Sequence, residues 1–210
     1  MNNNELKYIQ SFAHKKHWDQ ESVFIVEGPK LVKELLESDW TIEKIYASSE
    51  WLNAQEPLGV PTEQVDEIIL ARISQFKTAN QVLALVKKKV VNAPLQFDKE
   101  FTLVLDGIQD PGNLGTIIRL CDWFGVEQLV CSQDTVDCYN SKVVQATMGS
   151  LARVSITYLN LSEYLQTVSI PIFIADMDGV NIHKSKLPAS AILVMGNEAN
   201  GVSDRLKQLI

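Results

Sequence analysis

Short apolar runs alternate with amphipathic stretches along most of the chain, and that alternation predicts its elements. In the first half, residues 4–17 read as one helix with Leu6, Ile9 and Ala13 on a single stripe. Val23-Phe24-Ile25-Val26 reads as a short strand, and Pro29 opens a helix through Leu31, Val32, Leu35 and Leu36. A strand at Lys44-Ile45-Tyr46-Ala47, a helix over 66–75 and a strand over Gln81-Val82-Leu83-Ala84-Leu85-Val86 follow. The stretch from Lys87 to Glu100, with a basic run, Pro94 and an acidic end, reads as a linker.

The second half is more regular. Phe101-Thr102-Leu103-Val104-Leu105 is a buried-type strand, followed by a helix from about Asn113 to Phe124. In that helix Leu114, Ile117, Ile118, Cys121 and Phe124 are expected to face the core. Strands are expected at Gln128–Cys131, 153–157, 170–175 and 191–195, with helices around Ser141–Met148 and from Ser203. Strands separated by helices predict a mostly parallel sheet covered on both faces. The expected domains are residues 1–92 and 93–210.

Composition adds bounds. The 210 residues suit one large domain or two small ones, and 46% apolar with 21% charged residues is ordinary for a globular chain. No stretch approaches the roughly 18–20 apolar residues of a membrane span, and Met1-Asn2-Asn3-Asn4-Glu5 does not resemble a secretory leader. Three cysteines without a C-x-x-C pair predict a reduced, cytoplasmic protein with no structural metal. A net charge of −7 does not suggest nucleic-acid binding, so any RNA site must be a local patch. The basic candidates are Lys15-Lys16-His17, Lys30 with Lys33, and Lys87-Lys88-Lys89, although each cluster alone reads as a solvated face.

Two glycine-punctuated segments carry the chemistry. The first runs Leu105-Asp106-Gly107-Ile108-Gln109-Asp110-Pro111-Gly112-Asn113-Leu114-Gly115-Thr116-Ile117-Ile118-Arg119 and closes at Phe124-Gly125. The second is Met195-Gly196-Asn197-Glu198-Ala199-Asn200-Gly201-Val202-Ser203. Each follows an apolar run and leads into a helix, which places it at the carboxyl end of a strand, where open α/β sheets bind ligands. The first spacing, G-x-x-G, lacks the G-x-G-x-x-G of a dinucleotide site and the G-K-[ST] of a phosphate loop. Read singly, Asn113 is a helix N-cap, Arg119 an i,i+3 partner of Asp122, and Glu198 an acceptor for loop N–H groups.

Together the two segments resemble the first two signature motifs of the SpoU (TrmH) family, knotted SPOUT-class RNA ribose 2′-O-methyltransferases that use S-adenosylmethionine. The first motif's order, an Asn, an Arg six residues on and a closing Phe-Gly, is matched by Asn113, Arg119 and Phe124-Gly125. The resemblance implies that Arg119 is the principal catalytic side chain, with Asn113 and Glu198 in support. It implies cofactor binding by Ala175, Asp176, Met195, Gly196, Asn197 and Gly201, although Asp176 and Asp178 read equally well as an ordinary turn. The segment Asn140–Ser150 resembles one on the substrate side, with Lys142 as an RNA contact; Gln145 stands where relatives often carry a basic residue.

Phe24–Leu36 and Ile73–Val86 resemble the opening and close of the family's substrate-binding domain. That adds Lys30 and Glu27 as candidate RNA contacts, beside a plain strand-to-helix turn at Glu27-Gly28. The implied fold is a small N-terminal α/β RNA-binding domain followed by a mostly parallel-sheet SPOUT methyltransferase domain. The implied activity is methylation of a ribose 2′-hydroxyl in structured RNA, rRNA ahead of tRNA, by a protein that dimerises when complete. Nothing before Ile210 matches the third motif, so an incomplete trefoil knot and weak or absent cofactor binding are expected. A non-catalytic RNA-binding or ribosome-assembly protein is the alternative.

Overall fold

A computed structural model describes residues 1–89, 101–186 and 188–210. Most of the expected linker falls outside them. The described residues form two compact units: residues 1–89 assemble with Tyr139–Ala152, and residues 101–138 with 153–210.

The first unit holds α1 (Asn3–Ser11), α2 (Lys15–Glu21), β1 (Val23–Glu27), α3 (Pro29–Leu36), β2 (Ile42–Ala47), α4 (Ser49–Asn53), β3 (Thr62–Gln64), α5 (Glu67–Ile73) and β4 (Val82–Lys87). Its sheet order is β1-β4-β2-β3, with β4 antiparallel to β1 and β2, and β3 parallel to β2. The helix expected over 4–17 is broken. Phe12 and Ala13 make tight i→i−3 bonds to Ile9 and Gln10, and His14 is extended. At about 100° per residue a straight helix would put Trp18 roughly 120° from Leu6. The break instead lets Leu6, Ile9, Phe12 and Trp18 enter one core with Val23, Ile25, Leu83 and Leu85.

The second unit holds β5 (Thr102–Asp106), α6 (Pro111–Phe124), β6 (Gln128–Ser132), β7 (Ser155–Leu159), α8 (Leu161–Gln166), β8 (Ile172–Ile174), β9 (Ile192–Gly196) and α9 (Asp204–Lys207); α7 (Ser141–Thr147), between β6 and β7, belongs to the first. The five strands are all parallel, in the order β7-β6-β5-β9-β8. The chain fills the sheet outward from β5 to β7, then returns to add β8 and β9 on the other side. The order therefore reverses between β5 and β9, the switch point at which such sheets open a crevice. Val104, Val130, Ile192 and Val194 face Leu161, Tyr164 and Leu165 of α8 and Leu206 of α9. Leu105, Leu129 and Cys131, which alternate with them, are buried as well, so both faces are covered.

Two sequence expectations about α6 are corrected. Phe124 is 73% exposed, because it falls about 90° from the buried Leu114–Ile118–Cys121 stripe. The helix starts at Pro111, capped by Asp110, whose Oδ1 accepts from Asn113 N at 2.8 Å; Asn113 is not the cap. The short α4, β3 and α8 were not anticipated, being too brief to show a period.

The segment Tyr139–Ala152 completes the first unit. Val143, Val144 and Thr147 of α7 are buried, α7 and α3 both lie against β1, and the Tyr139 ring sits 4.7 Å from Phe24 and 6.1 Å from Trp40. Gly149, at φ +98°, lies so near Glu34 that a Cβ would stand 2.9 Å from its Cγ.

Candidate active site

The crevice between the carboxyl ends of β5 and β9 is tied by three hydrogen bonds that join residues about ninety positions apart. Asn197 Nδ2 donates to the carbonyl of Gly107 at 2.9 Å, and the Ser203 amide donates to Asp106 Oδ2 at 2.7 Å. Asn113 Nδ2 donates to Glu198 Oε1.

Each loop is also braced internally. Beyond β5 the chain turns through Gly107 at φ +70°, and its amide donates to Ser132 Oγ at 2.9 Å, fixing it to the end of β6. Beyond β9, Asn197 and Gly201 exchange backbone bonds of 3.0 and 2.8 Å, while Asn197 Oδ1 accepts from Ala199 N and Asn200 N at 2.9 and 3.2 Å. A Cβ on Gly196 would overlap the Gly201 carbonyl and the Val202 amide, so this turn closes only on glycine. A cleft of about 410 Å³ adjoins the crevice, lined in part by Asp106, Asp134, Asn160, Ser203 and Arg205.

The structure thus brings Asn113 and Glu198 into contact, with Gly196, Asn197 and Gly201 forming the loop beneath. Arg119 is exposed and makes no hydrogen bond or ion pair among the described residues. Six residues along α6 turn it about 240° from Asn113, which sets the two on different sides of the helix. Its suggested partner Asp122 is instead held by Arg153, whose Nε and Nη2 donate at 2.9 and 2.8 Å.

Ala175 and Met195 lie at the exposed ends of the neighbouring strands β8 and β9, and the Ala175 amide donates to the Val194 carbonyl at 2.9 Å. Asp176 closes a turn with Asp178 and Gly179 and pairs with Lys207 at 2.5 Å; the ammonium holds its carboxyl below the usual range.

In the first unit, Lys30 on α3 and Lys142 on α7 are exposed. Glu27 is only 3% exposed: its carboxylate accepts from Ser74 Oγ at 2.6 Å and from Gln75 N at 2.7 Å, which rules out the direct RNA contact suggested above. Burial pushes its carboxyl upward, against those two bonds. The basic run is neutralised, with Lys87 on Glu43, Lys88 on Asp19 and Lys89 on Asp39.

Sequence reasoning missed Asp106, Asp110 and Ser132 as organisers of the site. Asp110-Pro111 carries a legible helix-start signal. Ser132 has none, because its partner Gly107 lies in the loop after β5, 25 residues away. Among the described residues no helix is long and apolar enough to cross a membrane, and no group of three or more His, Cys, Asp or Glu could hold a metal.

Residues 100–210 match the SpoU rRNA Methylase family, and residues 3–84 match the MRM3-like substrate binding domain. The chain is 26% identical to the 23S rRNA (guanosine(2553)-2′-O)-methyltransferase RlmP of Bacillus subtilis over 97% of its own length and 83% of that protein's. Of two other relatives it spans 58% and 42%. A TrmH-family structure from Porphyromonas gingivalis superposes with a TM-score of 0.87 at 34% identity, over all of this chain and 86% of that one. An AdoMet-bound rRNA methyltransferase from Sinorhizobium meliloti gives 0.84 at 26% identity, over 98% and 82%. The doubly braced crevice and these matches agree: the chain belongs to the SpoU rRNA methylase family.

Proposed function

We propose that this protein methylates a ribose 2′-hydroxyl of structured RNA, with ribosomal RNA as substrate, using S-adenosylmethionine. The Asn113–Glu198 bond across the switch point carries this reading, because it sets two polar side chains from different motifs over one glycine loop. The residues present suit the cofactor. Ala175 and Met195 offer exposed apolar strand ends, and the narrow Gly196–Gly201 turn leaves backbone groups accessible beside them.

The bound cofactor supplies an electrophilic methyl on a sulfonium. Held there, it would give that methyl to the ribose oxygen with the thioether as leaving group, and the hydroxyl proton would pass to solvent water. Asn113, fixed by Glu198, can orient the attacking hydroxyl, and alignment alone supplies several kcal/mol. A guanidinium is a permanent cation with a planar fork of donors that matches phosphate, so the role of Arg119 is to anchor a substrate phosphate.

A homodimer belongs to the same reading. Leu120, Trp123 and Phe124 form an exposed apolar stripe on α6, with Trp123 83% exposed, and Arg119 lies beside it. Such a stripe marks an interaction surface, and a second copy could supply Arg119 to the crevice. Three buried cysteines, none in a disulfide, support a reducing, cytoplasmic setting.

The test is transfer of labelled methyl from S-adenosylmethionine to unmodified rRNA and tRNA. Whatever label the wild type places on rRNA ribose is expected to fall at least tenfold in Asn113→Ala and Arg119→Ala. RNA binding without label from any protein would favour the non-catalytic alternative.

A further inference from the structure

Glu27 is a buried carboxylate with no cation on it, an arrangement that is expensive unless its hydrogen bonds do something a neutral side chain cannot. Both bonds go to one loop. Ser74 Oγ and Gln75 N are the first groups after α5, and the Phe76 amide in turn donates to Ser74 Oγ at 3.1 Å. The loop's far end is fixed beside the residue after Glu27. Gly28, at φ +104°, donates to Val82 O at 3.0 Å, and a Cβ there would stand 3.5 Å from Asn80 Oδ1. The loop from Ser74 to Asn80 is therefore strapped along the start of α3.

The loop carries exposed Lys77, and the start of α3 carries exposed Lys30. Neither forms an ion pair among the described residues, whereas Lys33, Lys44, Lys87, Lys88, Lys89 and Lys207 all do. Lys30 and Lys77 are thus both free to meet an anion, on segments that the Gly28–Asn80 approach brings together.

The geometry points to Glu27 as a positioning residue for RNA: it does not touch the ligand but straps the Ser74–Asn80 loop so that Lys77 and Lys30 form one phosphate-binding edge. This rests on the reading of the chain as an RNA methyltransferase. Glutamine at position 27 takes the charge out of both bonds: its oxygen still accepts from Gln75 N, but its NH2 can meet Ser74 Oγ only by donating, which reverses that bond and leaves the serine proton without its acceptor. Ser74→Ala removes the hydroxyl and leaves the Gln75 bond, a milder release of the same strap.

The experiment measures binding of the full chain to an unmodified rRNA fragment between 0.05 and 0.3 M salt, for wild type, K77A, K30A, E27Q, S74A and the E27Q/K77A double variant, with thermal melts of each. One phosphate contact contributes about 0.7–0.9 to the slope of log affinity against log salt, equivalent to roughly five- to eightfold in affinity at 0.1 M relative to 1 M. K77A is expected to lower the slope by that amount. E27Q is expected to do the same, S74A to do part of it, and the double variant to lower it no further than K77A alone. A merely structural role would lower the melting temperature and leave the slope alone. An E27Q or S74A protein that binds with the wild-type slope while K77A does not would overturn the strap. Additive slopes in the double variant would overturn it too. Wild-type protein with no RNA affinity, or K77A and K30A both with the wild-type slope, would overturn the underlying RNA reading and the strap with it.

Discussion

Replacing Asn197 with alanine tests whether one side chain organises the second loop of the crevice. Its amide makes three hydrogen bonds: the donor to Gly107 O at 2.9 Å and the acceptors of Ala199 N and Asn200 N at 2.9 and 3.2 Å. The two acceptor bonds are solvent-exposed, so each is worth about 0.5 kcal/mol net. The bond to Gly107 ends on a buried residue, and its loss also orphans that carbonyl, for about 1–2 kcal/mol. The sum is about 2–3 kcal/mol. Native-state amide exchange resolves it by position. The amides of Ala199 and Asn200 should lose their protection outright, because their acceptor is gone. The amides of Val104 and Val194, in the centre of the sheet, should lose about 2–3 kcal/mol of opening free energy, because global unfolding no longer breaks those bonds. Asn197→Asp keeps both acceptor bonds and should leave Ala199 and Asn200 protected while still weakening the sheet. If Asn197→Ala retains protected Ala199 and Asn200 amides, or shifts the sheet by less than about 0.5 kcal/mol, Asn197 is not the organiser of this loop.

Other expectations follow from single features. Trp123→Asp places a charge in the exposed stripe of α6 and should turn a dimer into a monomer in sedimentation at micromolar concentration; a wild-type protein that is already monomeric there defeats the dimer reading. Burial raises the Glu27 carboxyl above its ordinary 4.5, so the native state binds that proton more tightly than the unfolded state does. Its stabilising effect is complete below about pH 4.5 and is lost as pH rises through the raised value. The stability of E27Q relative to wild type should therefore climb with pH from 4.5 upward, and urea titrations showing a flat or falling difference would contradict the burial. A fragment of residues 1–89 lacks Val143, Val144 and Thr147 on its α3 face, a burial worth about 3–5 kcal/mol. It should melt well below the same residues in the whole chain and gain stability from a 139–152 peptide. Equal melting without the peptide would show that the segment is dispensable.

How far the sequence foretold this structure depended on how far apart the interacting residues lie. The strands of the second unit were legible because each is a short apolar run bounded by turn residues, and their parallel order followed from the helices between them. The Asn113–Glu198 contact was reachable only through the resemblance of two motifs, since periodicity within either says nothing about the other. Phe124 was misplaced because the apolar count ran one residue past the point where helical phase leaves the core. The role of Glu27 was hidden for a different reason: its partners Ser74 and Gln75 come from a loop 47 and 48 residues away, and only burial distinguishes a strap from a surface carboxylate. The membership of Tyr139–Ala152 in the first unit was equally invisible, as an amphipathic helix does not announce which sheet it will cover.

The acidic balance of the chain also becomes intelligible once its cations are followed individually. Net charge predicts long-range attraction, but affinity for a polyanion comes from counterions displaced by cations that are free to meet phosphate. The most basic run in the sequence, Lys87-Lys88-Lys89, is the poorest candidate. Each ammonium already meets a carboxylate, and two of them also lie about 5.0 Å from the Tyr139 and Trp40 rings. Moving any of them to RNA would strand Glu43, Asp19 or Asp39 beside the polyanion. Lys30, Lys77 and Lys142 carry no such debt among the described residues, and all three belong to the first unit. A few well-placed cations on an otherwise acidic surface bind weakly without geometric match, since the remaining carboxylates repel phosphate everywhere else. Selectivity for folded RNA over any polyanion then depends on how rigidly those few are held, and for Lys77 that rigidity comes from the loop Glu27 holds.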